Sequence, residues 1–388
     1  MADDPNAHLT ANDEHYAEQS PLAPLDDHLV HQTPDPVRVM WTSDARAYER
    51  YWVTTQDRVG DLLMVFGGGF YPNLDTADAY AIVNYKGRHT TVRGHRRLGS
   101  DRMDLSVGPI KPTILQGLRT WRYVLEDNPY GISFDIRWHD TKRQSFWYLG
   151  PAGGGFQPDG RRQQATSGFE GFGVAEGWVR IGDERIEITP DKHHGTRDRH
   201  WGTRDGVGGP RHYLGERKRE FGPEGAGGGQ WVEFDDWSMW MGRVFYSFGD
   251  PRPNEGYVRT VDRKLKFEPD TLLFKEGVIT NVLPSGESRE FHFRRLGNQI
   301  AFLRCGMYDG TPDKNIWKGE YVGELVIDGE TYDVNRPQVR AKLIGNDVHH
   351  CRMTTSDGQE VSCIFEPHEP GAYEYCRDGR PGWTLWED

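Results

Sequence analysis

Apolar and polar residues alternate with a period of two in the most regular stretch of the chain, Ile132-Ser133-Phe134-Asp135-Ile136-Arg137-Trp138-His139. Ile132, Phe134, Ile136 and Trp138 fall on one face and the polar residues on the other, the pattern of a half-buried strand. Residues 62–66, 80–85 and 119–125 predict further strands. Gly182-Asp183 and Asp328-Gly329 each separate two apolar runs and predict two-residue hairpin turns. Their surroundings echo each other: Gly177-Trp178-Val179-Arg180-Ile181-Gly182-Asp183 against Gly323-Glu324-Leu325-Val326-Ile327-Asp328-Gly329. A fainter echo relates residues 122–138 to 266–282. This offset of about 145 residues predicts an internal duplication, hence two antiparallel β domains in tandem.

Composition supports an all-β fold. The 47 glycines and 23 prolines disfavour long helices, and 12% aromatic residues favour strands. A length of 388 residues suits two domains at roughly 100–200 residues each. The net charge of −12 is unevenly spread, because the first 35 residues carry eight acids and no Lys or Arg. Setting that −8 aside leaves −4, so nucleic-acid binding has no electrostatic support. The expected division is an acidic arm over 1–37, one domain over 38–192 and a second over 193–388. No apolar run is long enough to span a membrane, and the start lacks a basic, apolar leader, so a cytoplasmic protein is expected. Cys305, Cys351, Cys363 and Cys376 form no CxxC pair and read as reduced, packed thiols.

Three glycine-rich stretches, residues 67–69, 150–155 and 222–229, lack the Lys-Ser/Thr helix start of a phosphate-binding loop. The first is expected to be a bulge or a place of close backbone approach. The other two read as surface loops. No Gly-x-Ser-x-Gly elbow or dinucleotide fingerprint occurs, and no cofactor is expected.

The chemistry concentrates in residues 193–205, which hold three histidines, three arginines and two aspartates. Such charge is costly to bury unless it pairs or reacts. As an extended strand, the segment places Thr196, Asp198 and His200 on one face and Arg197, Arg199 and Trp201 on the other. Asp198 and His200 then lie about 7 Å apart along the strand, two residue rises. Acid–base work suits that pair, since His titrates near neutrality and burial tunes an Asp upward. The alternative is a structural clasp in which Asp198 accepts hydrogen bonds from Arg197 or Arg204 and stays ionised. Metal ligation by His193, His194 and His200 is disfavoured by their spacing and by adjacent arginines, so no metal is expected. Trp231, Phe234, Trp237, Trp240 and Phe245 supply either core or an apolar pocket lining. Tyr71, Asn73, Tyr80, Asp235 and Asp236 are lesser candidates for polar contacts.

The pattern Gly195-x-Arg197-Asp198-x-x-Trp201-Gly202-x-Arg204, set between two β halves, resembles the carotenoid hydratase (hydroxyneurosporene synthase) and AttH-like superfamily. Arg199 stands where that family's signature commonly has histidine. The resemblance implies two tandem lipocalin-like antiparallel β-barrels. It also implies a hydratase, a lyase acting on a C=C bond of a hydrophobic isoprenoid, steroid or polycyclic molecule, or a related isomerase or cyclase. On this reading Asp198 and His200 are catalytic, and Arg197, Trp201, Arg204, His194, Trp237, Trp240 and Tyr71 contact substrate. The expected partner is a hydrophobic small molecule, with a homodimer left open. A non-catalytic carrier of lipophilic ligands and a pericyclase-like cyclase are the competing functions.

Overall fold

The computed structural model describes residues 39–149, 165–204, 206–209, 229–240, 242–252, 258–308 and 310–367. The acidic arm, the stretches 150–155 and 222–228, and Asp205, Met241 and Cys376 lie outside them. The described residues form antiparallel β-structure in two curled sheets. A meander of β1 (Ala47–Asp57), β2 (Leu62–Tyr71), β3 (Thr76–Tyr85) and β4 (Arg88–Arg97) opens the first sheet. The chain continues through β5 (Ile110–Gln116), β6 (Thr120–Leu125), β7 (Ile132–Asp140), β8 (Ser145–Leu149), β9 (Ala165–Ile181) and β10 (Glu184–Ile188). β11 (His193–Thr203) then inserts between β1 and β9. β11, which lies past the expected boundary at residue 193, therefore belongs to the first sheet.

The second sheet holds β12 (Gly229–Glu233), β13 (Trp237–Trp240), β14 (Arg243–Tyr246), β15 (Arg259–Phe267), β16 (Phe274–Val282) and β17 (Ser288–Phe302). β18 (Leu325–Asp333) leaves it to pair with β4, and α1 (Pro337–Leu343) leads back to β19 (Asp347–Thr355) and β20 (Glu360–Glu366). The expected hairpin at Asp328-Gly329 is thus one continuous strand. Gly329 sits opposite Val92, and a Cβ there would lie 2.4 Å from the Thr91 carbonyl. This glycine permits close strand approach instead of a turn. The other hairpin forms, with Gly182 in a left-handed conformation between β9 and β10.

Period-two alternation sorts side chains into three apolar clusters. The inner face of the first sheet packs Tyr51, Val53, Phe66, Trp121, Phe134 and Trp138 together. The second sheet encloses Phe234, Phe274, Phe291, Phe293 and Phe365, with Cys351 and Cys363 buried among them. Between the sheets, Trp52, Tyr80, Trp147, Phe172, Trp231 and Trp240 meet Phe302, Tyr308 and Ile364. This seam is the setting for the charged segment.

On the inner face, Arg197 makes a two-pronged ion pair with Asp140, at 2.8 and 2.6 Å, and Trp138 Nε1 donates to the same carboxylate. Both partners are fully buried, so removing one strands a charge in the interior. Asp140→Ala is expected to cost about 3–5 kcal/mol in urea denaturation. Arg122→Ala, which breaks the exposed pair with Asp135, is expected to cost about 1 kcal/mol or less. Equal losses would contradict this reading of the clasp.

Candidate active site

β11 brings Asp198 and His200 onto the seam, because their alternation places them opposite Arg197 and Arg199. Across the β1 pairing, Trp52 sits beside Asp198 and Arg50 beside His200, all on one face. The His200 Nε2 atom lies 3.5 Å from Asp198 Oδ2 and 2.9 Å from Glu170 Oε1. Glu170 comes from the neighbouring β9 and is fully buried. Trp147 and Trp231 each donate their indole N–H to it at 3.3 Å, one to either oxygen.

Glycine makes the fit possible. Gly168 is the cross-strand partner of His200, and a Cβ there would lie 2.5 Å from His200 Cδ2 and 2.8 Å from the Trp147 ring. The imidazole therefore lies flat across β9, with Trp147 edge-on at 4.7 Å. Trp240 completes the aromatic wall, 5.9 Å from Trp147 and 6.1 Å from Trp231. Trp52 packs on Trp231 at 5.6 Å. The indole N–H groups of Trp52 and Trp240 are buried without a hydrogen-bond partner.

Burial sets the protonation states. It pushes Glu170 up to about 8, against the two tryptophan hydrogen bonds and the charges of Arg197 and Arg243. It pushes Asp198 up to about 7; Glu170 adds to the rise, while His200, Arg204 and Arg50 oppose it. The same desolvation holds His200 down to about 4, although Asp198 favours its charged form. Glu366 at the end of β20 is raised to about 8 by burial, with Asp198 and Glu170 adding to the effect. Near neutrality Glu170 and Glu366 thus favour their protonated forms, Asp198 is poised between its two forms, and the imidazole is neutral.

The ligand atoms of Glu170, Asp198 and His200 lie within 4.8 Å of one another, a spacing that a metal ion could bridge. Both Glu170 oxygens already accept hydrogen bonds, and Arg50 and Arg204 add positive charge nearby. The donor set suits a shared proton better than a cation.

The structure brings only some of the expected residues together. Asp198, His200 and Trp240 line the seam, with Arg204 acting on Asp198 through its charge. Tyr71 reaches the site indirectly, accepting a hydrogen bond from Arg50. His194 shares the face of Asp198 but lies further along, where its Nδ1 is 3.5 Å from Glu233. It borders a void of about water-molecule size with Phe172, Thr196 and Trp231. Arg197, Trp201 and Trp237 sit elsewhere. Arg197 faces Asp140, and Trp201 points the same way, 6.1 Å from Phe146 and 6.4 Å from Phe169. Trp237 stacks on Phe234 at 4.6 Å within the second core. The clasp expected at Asp198 exists one residue earlier, on the opposite face.

Sequence reasoning did not identify Glu170, Trp147, Arg50 or Glu366. A signal for Glu170 existed: it is the lone acid in Gly168-Phe169-Glu170-Gly171-Phe172-Gly173, sharing a strand face with Gly168 and Phe172.

The model of a family of unknown function, DUF8625, matches residues 22–221. The chain belongs to this family. No curated protein matches it. Solved structures similar to it include a candidate AttH from Nitrosomonas europaea, 12% identical, at a TM-score of 0.44 over 84% of this chain and 96% of that one. CghA with Sch210972 is 11% identical, at 0.41 over 82% and 87%. Kievitone hydratase from Nectria haematococca is 12% identical, at 0.36 over 85% and 93%. The chemistry must be read from this chain's own side chains. No helix among the described residues is long and apolar enough to cross a membrane.

The raised acids have a measurable cost. An acid whose folded value exceeds its unfolded value loses stability as pH climbs from the ordinary carboxylate range through the folded value. Asp198→Asn removes that loss. The variant should melt above the wild type at pH 8–9, by a margin on the order of a few kcal/mol, and match it near pH 4. A variant less stable than the wild type at high pH would show that Asp198 is ionised and well paired.

Proposed function

We propose that the protein is a cofactor-independent acid catalyst acting on a carbon–carbon double bond of a hydrophobic, isoprenoid or polycyclic small molecule. One observation carries this reading: a carboxyl group held near a value of 7 beside a neutral imidazole, inside a wall of four tryptophans. Protonating an alkene requires a neutral acid with little competing water, and the burial that raises Asp198 favours both conditions.

In the proposed reaction, the Asp198 O–H transfers its proton to one alkene carbon, leaving a carboxylate and a carbocation. The faces of Trp52, Trp147, Trp231 and Trp240 shelter the cation, each well-placed ring contributing about 0.5–2 kcal/mol. In hydration, a water oxygen attacks the cation while His200 Nε2 accepts one of its protons. His200 then returns that proton to Asp198, 3.5 Å away, and the acid is regenerated. In isomerisation, the Asp198 carboxylate takes a proton from the neighbouring carbon instead. Glu170 is a positioning residue, holding the imidazole at 2.9 Å between its own fixed carboxyl and Asp198.

The test is turnover of a panel of terpenoid and polycyclic alkenes in D2O, read by mass spectrometry. Deuterium should enter at carbon with wild-type protein, and Asp198→Asn should lower the rate by about 10²–10⁴-fold. The wild-type rate should fall as pH rises through about 7, where Asp198 loses its proton. A full rate with Asp198→Asn would favour a cyclase working by shape. Ligand binding with no turnover by either protein would favour a carrier.

A further inference from the structure

Two arginines near Asp198 have no task in the proton transfers. Arg50, 2% exposed, lies flat on β2 because Gly69 leaves room for it: a Cβ there would sit 2.5 Å from Arg50 Cγ. Gly67 does the same for Tyr80, whose ring would lie 2.6 Å from such an atom. Residues 67–69 are therefore not a bulge; two of these glycines form the floor on which Arg50 and Tyr80 rest. Arg50 Nη1 donates to Tyr71 Oη and lies 3.4 Å from Asp78 Oδ1. Its Nε and Nη2 have no hydrogen-bond partner.

Arg204 follows β11 directly. The Arg50 and Arg204 guanidinium carbons lie 5.0 and 5.5 Å from the centre of the same Tyr308 ring. Among the described residues the Arg204 side chain makes no hydrogen bond or ion pair. The two guanidinium groups, with the Lys318 ammonium 4.6 Å from the same ring centre, repel one another, and the unused Arg50 N–H donors in the interior are costly. An aromatic face returns only part of that cost. Asp78 does not balance both charges, since its second oxygen accepts from the Gly319 N–H at 2.8 Å.

We infer that Arg50 and Arg204 form a carboxylate-binding subsite over Tyr308, so that the substrate is an apolar molecule carrying a carboxylate beside its reacting alkene. The planar guanidinium forks match a carboxylate's two oxygens. The alkene rests on Asp198 being the proton donor, whereas the carboxylate rests on the arginines alone. The subsite also serves the chemistry: Arg50 and Arg204 both favour ionised Asp198, and an anion between them offsets that pull.

Equilibrium binding separates the two ideas. Quenching of tryptophan fluorescence is measured at pH 7 with 2-naphthoate and with its uncharged methyl ester. Wild-type protein should bind the acid at least about tenfold more tightly than the ester. Arg204→Gln should abolish that preference and leave ester affinity unchanged, while Arg204→Lys retains part of it. Asp198→Asn should keep the preference whether or not Asp198 is a proton donor, so a failed mechanism does not hide a correct subsite. Equal affinity of wild type for the two probes, no binding of the acid at millimolar concentration, or an undiminished preference in folded Arg204→Gln would overturn the proposal. Should Arg204→Gln not fold, the wild-type comparison and Arg204→Lys still decide it.

Discussion

The insertion of β11 between β1 and β9 is the constraint from which the rest of the site follows. A strand paired on both sides has a single register, and its alternation then has only two outcomes for each side chain. Arg197 is sent inward to Asp140, where it forms a two-pronged ion pair. Asp198 and His200 are sent outward into the seam, where the second sheet covers them. One arginine–aspartate dipeptide thus serves two unrelated purposes, and a slip of one residue would exchange them.

The seam is an unusual environment because it is aromatic and acidic together. Tryptophans exclude water, so carboxyl groups there resist ionisation, yet the indole N–H groups of Trp147 and Trp231 satisfy Glu170. The same residues that make the seam apolar therefore anchor its polar centre. Glycines complete the design from beneath. Gly168 admits the imidazole, and Gly67 and Gly69 admit Tyr80 and Arg50. At these three positions sheet backbone replaces side chain, so that the neighbouring group can lie flat.

Much of this was legible in the chain. Alternation located strands such as β7, and the density of ionisable residues at 193–205 pointed to the right segment. It also separated Asp198 and His200 from Arg197 and Trp201, since a period of two needs no tertiary information. Partners were not legible. Asp140 is 57 residues from Arg197 and Glu170 is 30 from His200, distances that only strand register resolves. Asp328-Gly329 misled because the turn signature and the close-approach signature of glycine are the same two letters. The apparent echo of residues 177–183 at 323–329 thus joins a true hairpin to an edge strand that crosses to the first sheet.

The central claim is that Asp198 keeps its proton near neutral pH. Carbon-13 carboxyl NMR of aspartate-labelled protein tests it most directly, with the Asp198 signal identified by its loss in Asp198→Asn. A titration midpoint near 7 is predicted. A midpoint at or below about 4, the ordinary aspartate range, would contradict the account and return Asp198 to the role of an ionised structural anion.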